Sequence, residues 1–188
     1  MLKWIVFMVL AIMVGTALAD PMPEFKLPNE LGKNVALQDL LGRGPVLIDF
    51  WADYCQPCKL SMPSLNDLAL KYDSLTVVLV SIDAPKMQTK AKAFLKSKGF
   101  QFVTLFDADK LLAKKLNVVN PPHTFLLDKT GEIVWSHLGY EPGNEAEYEL
   151  QIRSLLGLEE EKTDGCQTGG CGEDCPGRAN PEDCVCEE

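Results

Sequence analysis

The sequence lacks an excess of positive charge. Its 188 residues include 18 lysines and arginines against 27 aspartates and glutamates, and the formal net charge is −9. No stretch forms the basic stripe that contact with nucleic-acid phosphates requires. The composition therefore excludes nucleic-acid binding as the function of this chain.

The negative charge is concentrated at the C-terminus. Residues 159–188 hold ten acidic and two basic residues, whereas residues 20–158 hold 17 acidic and 15 basic residues. The terminal segment also has almost no large apolar side chain, so it cannot build a hydrophobic core. The sequence therefore predicts a folded domain over 20–158 and an acidic, Cys- and Gly-rich flexible tail over 159–188.

Long apolar runs are scarce, and the longest one lies at the N-terminus. Lys3 is followed by the apolar segment Trp4 to Val14 and by the small-residue motif Ala17-Leu18-Ala19. The run is shorter than the roughly 20 residues that a membrane-spanning helix needs. This pattern is typical of a secretory signal peptide over 1–19, which implies export to the periplasm or the extracytoplasmic face of the membrane. An uncleaved N-terminal anchor is the alternative.

Apolar periodicity in the remaining chain predicts alternating strands and helices. We expect an N-terminal hairpin around Gly32, strands over 46–51, 76–82, 101–106, 124–127 and 132–138, and helices over 55–72, 86–98, 109–116 and 144–156. The inward faces of the first two helices are predicted to include Leu60, Leu65, Leu68 and Ala69, and Ala93 and Phe94, respectively. This order predicts an α/β fold with a mixed central sheet and helices on both faces.

A C-x-x-C motif, Cys55 and Cys58, lies between the strand over 46–51 and the following helix. Backbone N–H groups and the positive end of the helix dipole stabilise a thiolate at a helix N-terminus. We therefore expect Cys55 to be the exposed attacking thiol and Cys58 the shielded thiol that resolves a mixed disulfide. A zinc site is the alternative, but beyond this motif the domain offers only His123 and His137 as further nitrogen or sulfur ligands.

Two motifs carry a resemblance to a known superfamily. Residues 51–59, WADYCQPCK, resemble the W-A-x-W-C-x-P-C-K signature of thioredoxins, and residues 121–125, PPHTF, resemble the cis-proline signature of the same proteins. The N-terminal hairpin, the inserted helix and strand over 86–106 and the export signal are similar to the TlpA/ResA-like branch of extracytoplasmic thiol–disulfide oxidoreductases. The resemblance covers about residues 22–157 and implies a thioredoxin fold.

The resemblance also implies roles for individual residues. Cys55 and Cys58 would form the redox-active disulfide. Pro122 would be the cis-proline packed against it, and the peptide unit at Pro121 would pair with the backbone of a substrate. Trp51 would cover the active-site surface and contact substrate, with plain core packing as the alternative.

Asp49 and Asp53 are the charged residues expected near the disulfide. The resemblance implies that the buried Asp49 exchanges a proton with the Cys58 thiol, which favours a reducing role; a purely structural carboxylate is the alternative. Leu79 stands where thioredoxins often carry a lysine, so burial should raise the pKa of Asp49. Asp53 places a negative charge close to Cys55 and should oppose formation of its thiolate.

Together these features predict an exported enzyme that reduces protein disulfides, with cytochrome c maturation as one setting. The expected partners are disulfide-containing proteins and, as electron donor, a membrane thiol transporter; the chemistry requires no cofactor or metal, and a monomer is expected. A disulfide-donating oxidase and a metal-binding or metallochaperone module are the alternatives. A peroxiredoxin-type peroxidase would need Thr and Pro where this chain has Ala52 and Ile48.

Five of the seven cysteines lie in the predicted tail. They are Cys166, Cys171, Cys175, Cys184 and Cys186. Their spacing matches no common zinc or iron–sulfur pattern closely. Three roles fit these cysteines: structural disulfides, a bound metal, or a redox role in exchange with the C-x-x-C motif. Because their number is odd, disulfide formation within the tail leaves one thiol without a partner.

The charge distribution generates a prediction about the tail. Truncation after Leu158 should leave the melting temperature and the insulin reductase activity nearly unchanged, because folding of the domain should not depend on residues 159–188. Thermal unfolding and an insulin turbidity assay of the full and truncated chains test this. A loss of stability beyond about 2 kcal/mol would show that the tail packs on the domain or clamps it.

Overall fold

The computed structural model describes residues 20–158 of the chain. The predicted signal peptide over 1–19, and the predicted tail over 159–188 with its five cysteines, lie outside the described residues. Across residues 20–158, none of the helices has the length and apolar character needed to cross a membrane.

The domain is built on a mixed six-stranded sheet. In chain order the strands are β1 (Asp20–Pro21), β2 (Lys26–Pro28), β3 (Asn34–Ala36), β4 (Val46–Trp51), β5 (Thr76–Ser81), β6 (Val103–Phe106), β7 (His123–Leu127) and β8 (Glu132–Leu138). The central sheet has the order β1-β8-β7-β4-β5-β6, while β2 and β3 form a separate hairpin. Strand β4 runs parallel to β5 and antiparallel to β7. Helices cover both faces, which confirms the predicted thioredoxin-type α/β fold.

Residues 20–158 also form four α-helices, the last of which follows β8. They are α1 (Gln56–Lys71), α2 (Gln88–Lys98), α3 (Leu111–Lys115) and α4 (Asn144–Leu155). A short 3₁₀ turn, Pro85–Met87, precedes α2, and the helix ends at Gly99, whose φ of +66° is the left-handed conformation that glycine adopts without steric cost. The helices α2 and α3 are shorter than the sequence predicts.

Strand β4 lies at the centre of the sheet. All six of its residues are buried, in keeping with an apolar run that is interrupted only by Asp49. Parallel and antiparallel neighbours on its two edges satisfy its backbone hydrogen bonds, so a strand of this composition is stable only inside the sheet. Its last residue leads directly into the C-x-x-C motif.

Two predicted inward faces were wrong in part. Leu60 is 53% exposed and Ala93 is exposed, whereas Leu65 is fully buried as predicted. The buried face of α1 consists of Cys58, Ser61, Met62, Leu65 and Leu68, and that of α2 of Ala91 and Leu95. Each residue turns a helix by about 100°, so Leu60 lies about 200° away from both Cys58 and Met62. Apolar character alone therefore misplaced a residue that the helical period puts outside.

Candidate active site

The connection between β4 and α1 presents the first cysteine at the start of the helix. A tight turn closes where the Cys55 N–H donates to the Ala52 carbonyl oxygen at 2.9 Å. Cys55 is the N-cap of α1, and its sulfur accepts a hydrogen bond from the Cys58 N–H at 3.2 Å. Pro57 occupies the first helical turn, where its missing N–H leaves no hydrogen bond unmade. The helix N-terminus thus donates to the Cys55 sulfur.

Cys55 and Cys58 form a disulfide, with their Cα atoms 5.4 Å apart. Cys55 is 5% exposed and Cys58 is fully buried. Cys55 is therefore the more accessible of the two residues. This order agrees with the prediction that Cys58 is the shielded partner, although even Cys55 exposes only a small part of its surface.

The second signature motif lies at the start of β7. The Pro121–Pro122 peptide bond is cis, as the sequence resemblance implied. Pro122 is buried, Pro121 is half-buried, and the Pro122 carbonyl oxygen accepts a hydrogen bond from the Gly139 N–H at 2.8 Å. The pairing of this segment with a substrate backbone stays a prediction.

Trp51 does not cover the active-site surface, and this corrects the prediction that it contacts substrate. The side chain is fully buried at the end of β4, and its ring lies 6.1 Å from the ring of Phe94 on α2. The strand alternation directs Trp51 to the same face of the sheet as Asp49, under the helices. Trp51 is thus a core residue, as the alternative stated. The exposed aromatic side chain of the motif is Tyr54, at 68% exposure.

Asp49 is a buried carboxyl group with one hydrogen-bond donor. It is 1% exposed, and its Oδ1 accepts a hydrogen bond from the Thr124 hydroxyl at 2.8 Å. Within residues 20–158 its Oδ2 has no hydrogen-bond partner. Leu79 lies directly opposite on β5, so no cation reaches the carboxyl from that strand. Burial raises the pKa of Asp49 to about 7, and the Thr124 hydrogen bond only partly offsets this.

Tyr148 on α4 adds a second buried polar group that the sequence did not reveal. It is 1% exposed, and its hydroxyl lies in the electrostatic environment of Thr124 and Asp49. Burial raises the pKa of Tyr148 to about 12, so the phenol stays protonated at neutral pH. The helical spacing of Tyr148 and Ile152 indicates an inward face, but no local signal shows that this face meets Asp49.

Asp53 does not carry an uncompensated negative charge. Its side chain is 3% exposed and forms ion pairs with Lys59 on α1 and Lys90 on α2, each at 3.1 Å. Burial would raise the pKa of Asp53, but the hydrogen bonds and charges of Lys90 and Lys59 outweigh it and hold the pKa below its usual value. The prediction placed Asp53 near Cys55 but missed both lysines as its partners.

Among residues 20–158, neither histidine belongs to a group of side chains placed to hold a metal ion. His123 is half-buried, its ring stacks on Phe125 at 4.3 Å, and burial lowers its pKa. Among the residues that the structure describes, no three His, Cys, Asp or Glu side chains are placed to hold a metal ion. The metal-binding alternative therefore depends on the tail cysteines, which lie outside the described residues.

A disulfide at the helix N-terminus that follows β4, and a cis-proline at the start of the neighbouring strand β7, together define the class of the protein. Such an arrangement exchanges thiols and disulfides, and the chain is a thiol–disulfide oxidoreductase. The sequence profile of the AhpC/TSA family matches residues 18–136, so the chain belongs to this family.

Similar proteins agree with this class. The thiol-disulfide oxidoreductase ResA of Bacillus cereus is 32% identical over 129 residues, which cover 69% of this chain and 74% of that protein. The thioredoxin-like protein YneN of Bacillus subtilis is 34% identical over 141 residues, covering 74% and 82%. A crystal structure from Chlorobium tepidum, assigned as a thiol:disulfide interchange protein DsbE, is 34% identical with a TM-score of 0.69 and covers 74% of this chain and 97% of its own.

The burial of Asp49 generates a prediction about stability. Its pKa is about 7 in the folded protein and 3.8 in an exposed chain. The unfolded state therefore loses this proton at lower pH, and the free energy of unfolding should fall as the pH rises through this window. Asp49→Asn cannot ionise, so its advantage over wild type should grow by about 2 to 3 kcal/mol between about pH 5 and pH 8.

Urea unfolding of the oxidised proteins across this pH range measures the effect. Asp67→Asn is the matched control, because Asp67 is an exposed carboxylate on α1. Its stability should follow that of wild type at every pH. Parallel curves for Asp49→Asn and wild type would mean that Asp49 ionises at an ordinary pH despite its burial.

Proposed function

We propose that this chain is an exported reductant of protein disulfides, in which Cys55 attacks, Cys58 resolves and Asp49 accepts the proton of Cys58. The observation that carries the reducing role is the Asp49 carboxyl group, which is buried on the strand that leads into the motif and ionises near neutral pH. A general base works best when its pKa lies close to the working pH. Asp49 meets this condition without any cationic partner on β5.

The proposed cycle begins with both cysteines reduced. The Cys55 thiolate attacks one sulfur of the substrate disulfide; that S–S bond breaks, a mixed disulfide forms, and the first substrate sulfur leaves as a thiolate that takes a proton from solvent. The Cys58 thiol then passes its proton to the Asp49 carboxylate. The Cys58 thiolate attacks the Cys55 sulfur and displaces the second substrate thiolate, so two electrons have moved to the substrate.

The surroundings of the disulfide support contact with an extended substrate. The exposed Tyr54 precedes Cys55, and Val119, 73% exposed, lies shortly before the cis Pro121–Pro122 bond. These side chains offer apolar surface to a protein substrate, while Pro121 and Pro122 would pair with its backbone. The oxidised enzyme would be reduced again by a membrane thiol transporter, and cytochrome c maturation is one process that consumes such reduced thiols.

Cysteine variants test the assignment of the two sulfurs. Cys55→Ser should abolish disulfide reductase activity, because Cys58, the other cysteine of the motif, is fully buried. Cys58→Ser should accumulate mixed disulfides with substrate, since nothing then displaces the second substrate thiolate. Mass spectrometry of the cross-linked peptide identifies the linked residue. Mixed disulfides through Cys58 in the Cys55→Ser protein would reverse the two roles.

One observation favours the opposite direction of electron flow. The Cys58 N–H donates to the Cys55 sulfur at the N-terminus of α1, and stabilisation of a thiolate there makes a disulfide more oxidising. A redox titration of the pair against glutathione decides between the two. We expect a potential near about −270 mV for the reductant, whereas a value near about −120 mV would assign the chain as a disulfide donor.

A further inference from the structure

We infer that Lys90, on the inserted helix α2, is a positioning residue for the reaction: with Lys59 it holds the Asp53 carboxylate and balances the negative charge beside Cys55. The inference rests on the proposed role of Cys55 as the attacking thiol. It makes α2 a part of the active site, although the helix contributes no group to the sulfur chemistry itself.

The Asp53 carboxylate is enclosed by two cations from two different helices. Lys59 contacts its Oδ1 and Lys90 its Oδ2, both at 3.1 Å, while the carboxylate side chain is only 3% exposed. Removing a carboxylate from water costs free energy unless cations or hydrogen bonds replace the lost hydration. The two lysines supply that replacement, one on each oxygen.

The backbone of Asp53 is fixed as well. Its N–H donates to both carboxylate oxygens of Asp83, at 2.9 and 3.2 Å. Asp83 is itself 2% exposed, and the Ser81 hydroxyl donates to its Oδ2 at 2.9 Å. The main chain and the side chain of Asp53 are thus both held by partners outside the turn that presents Cys55. Lys90 supplies one of these contacts, to a residue two positions before Cys55.

Helix α2 is held against this turn by aromatic contacts. The ammonium group of Lys59 lies 4.7 Å from the centre of the Phe94 ring, and Phe94 in turn lies 6.1 Å from the Trp51 ring. The ring therefore connects α2 to α1 and to the end of β4. Lys59 is 23% exposed and Lys90 is 71% exposed, so Lys90 can be replaced with little change in packing.

The charges around Cys55 indicate the sign of the effect. In the reduced chain, the titratable groups on the elements around the motif include Cys58, Asp49 on β4, Asp53 and Tyr54 in the turn, Asp83 after β5, Lys59 on α1, Lys90 on α2 and His123 on β7. The Asp53 carboxylate and its two ammonium partners together carry one net positive charge, and loss of Lys90 removes it. Loss of a positive charge near Cys55 disfavours its thiolate.

Alkylation kinetics of the reduced full chain test the inference. The rate at which iodoacetamide modifies Cys55 is followed from about pH 5 to pH 10 by mass spectrometry of the Cys55 peptide. In Lys90→Gln the midpoint of the rate profile should move to higher pH, and the rate at about pH 7 should fall threefold to tenfold, the size expected of one charge near a partly solvated site. Asp53→Asn should move the midpoint to lower pH.

Two further variants separate charge from structure. Lys96→Gln removes the same charge from α2 away from the Asp53 cluster and should match wild type, while Lys90→Arg keeps the charge and should restore the wild-type midpoint. A Lys90→Gln profile that coincides with that of Lys96→Gln overturns the inference. A lower plateau at an unchanged midpoint also overturns it, because loss of packing alone would produce that result.

The proposed function fails in a distinguishable way. If Cys58 is alkylated before Cys55 in the wild-type chain, the roles of the two sulfurs are wrong, whatever the Lys90 variants do. If Cys55 is alkylated first and the Lys90 and Lys96 variants behave alike, the reductase assignment stands and only the role of α2 is lost.

Discussion

The complete burial of strand β4 is the constraint on which the site depends. Its six residues lie between β5 and β7 and have almost no contact with water. The strand therefore fixes both the depth of Asp49 and the point at which the chain emerges to present Cys55. Strand β4 therefore positions both the Asp49 carboxyl group, which it contains, and the C-x-x-C motif, which follows it directly in the chain.

Two carboxyl groups on the segment that leads into Cys55 expose almost no surface to solvent, yet their pKa values shift in opposite directions. Asp49 receives only the Thr124 hydroxyl, and burial raises its pKa to about 7, whereas Asp53 receives two ammonium groups that hold its pKa below the usual value. Burial penalises the charged form in both cases, but the penalty is much larger for the more deeply buried Asp49, and only Asp53 has cations that outweigh it. In the proposed cycle, the raised pKa allows Asp49 to exchange a proton near neutral pH, while the lowered pKa keeps Asp53 ionised.

Local patterns predicted the parts of the site that are continuous in sequence. The apolar run over 46–51, the C-x-x-C spacing and the proline pair at 121–122 all lie where the sequence placed them. The sequence did not reveal contacts that depend on packing between helices. Lys90 belongs to a run of lysines that resembles a solvated helix face, and only the position of α2 against the turn identifies it as the partner of Asp53. The burial of Trp51 likewise depends on Phe94 of α2.

The residue opposite Asp49 matters for the proposed role of this carboxyl group as the proton acceptor of Cys58. A lysine on β5 would hold Asp49 ionised, but Leu79 occupies that position and leaves the carboxyl with a pKa of about 7. At neutral pH both protonation states are then populated. In the proposed cycle, the ionised state would accept the proton of Cys58 during resolution, and the protonated state would return it when the disulfide is reduced again. A group with this task works best when its pKa lies close to the working pH, and the apolar Leu79 places no cation on β5 that would lower the pKa of Asp49.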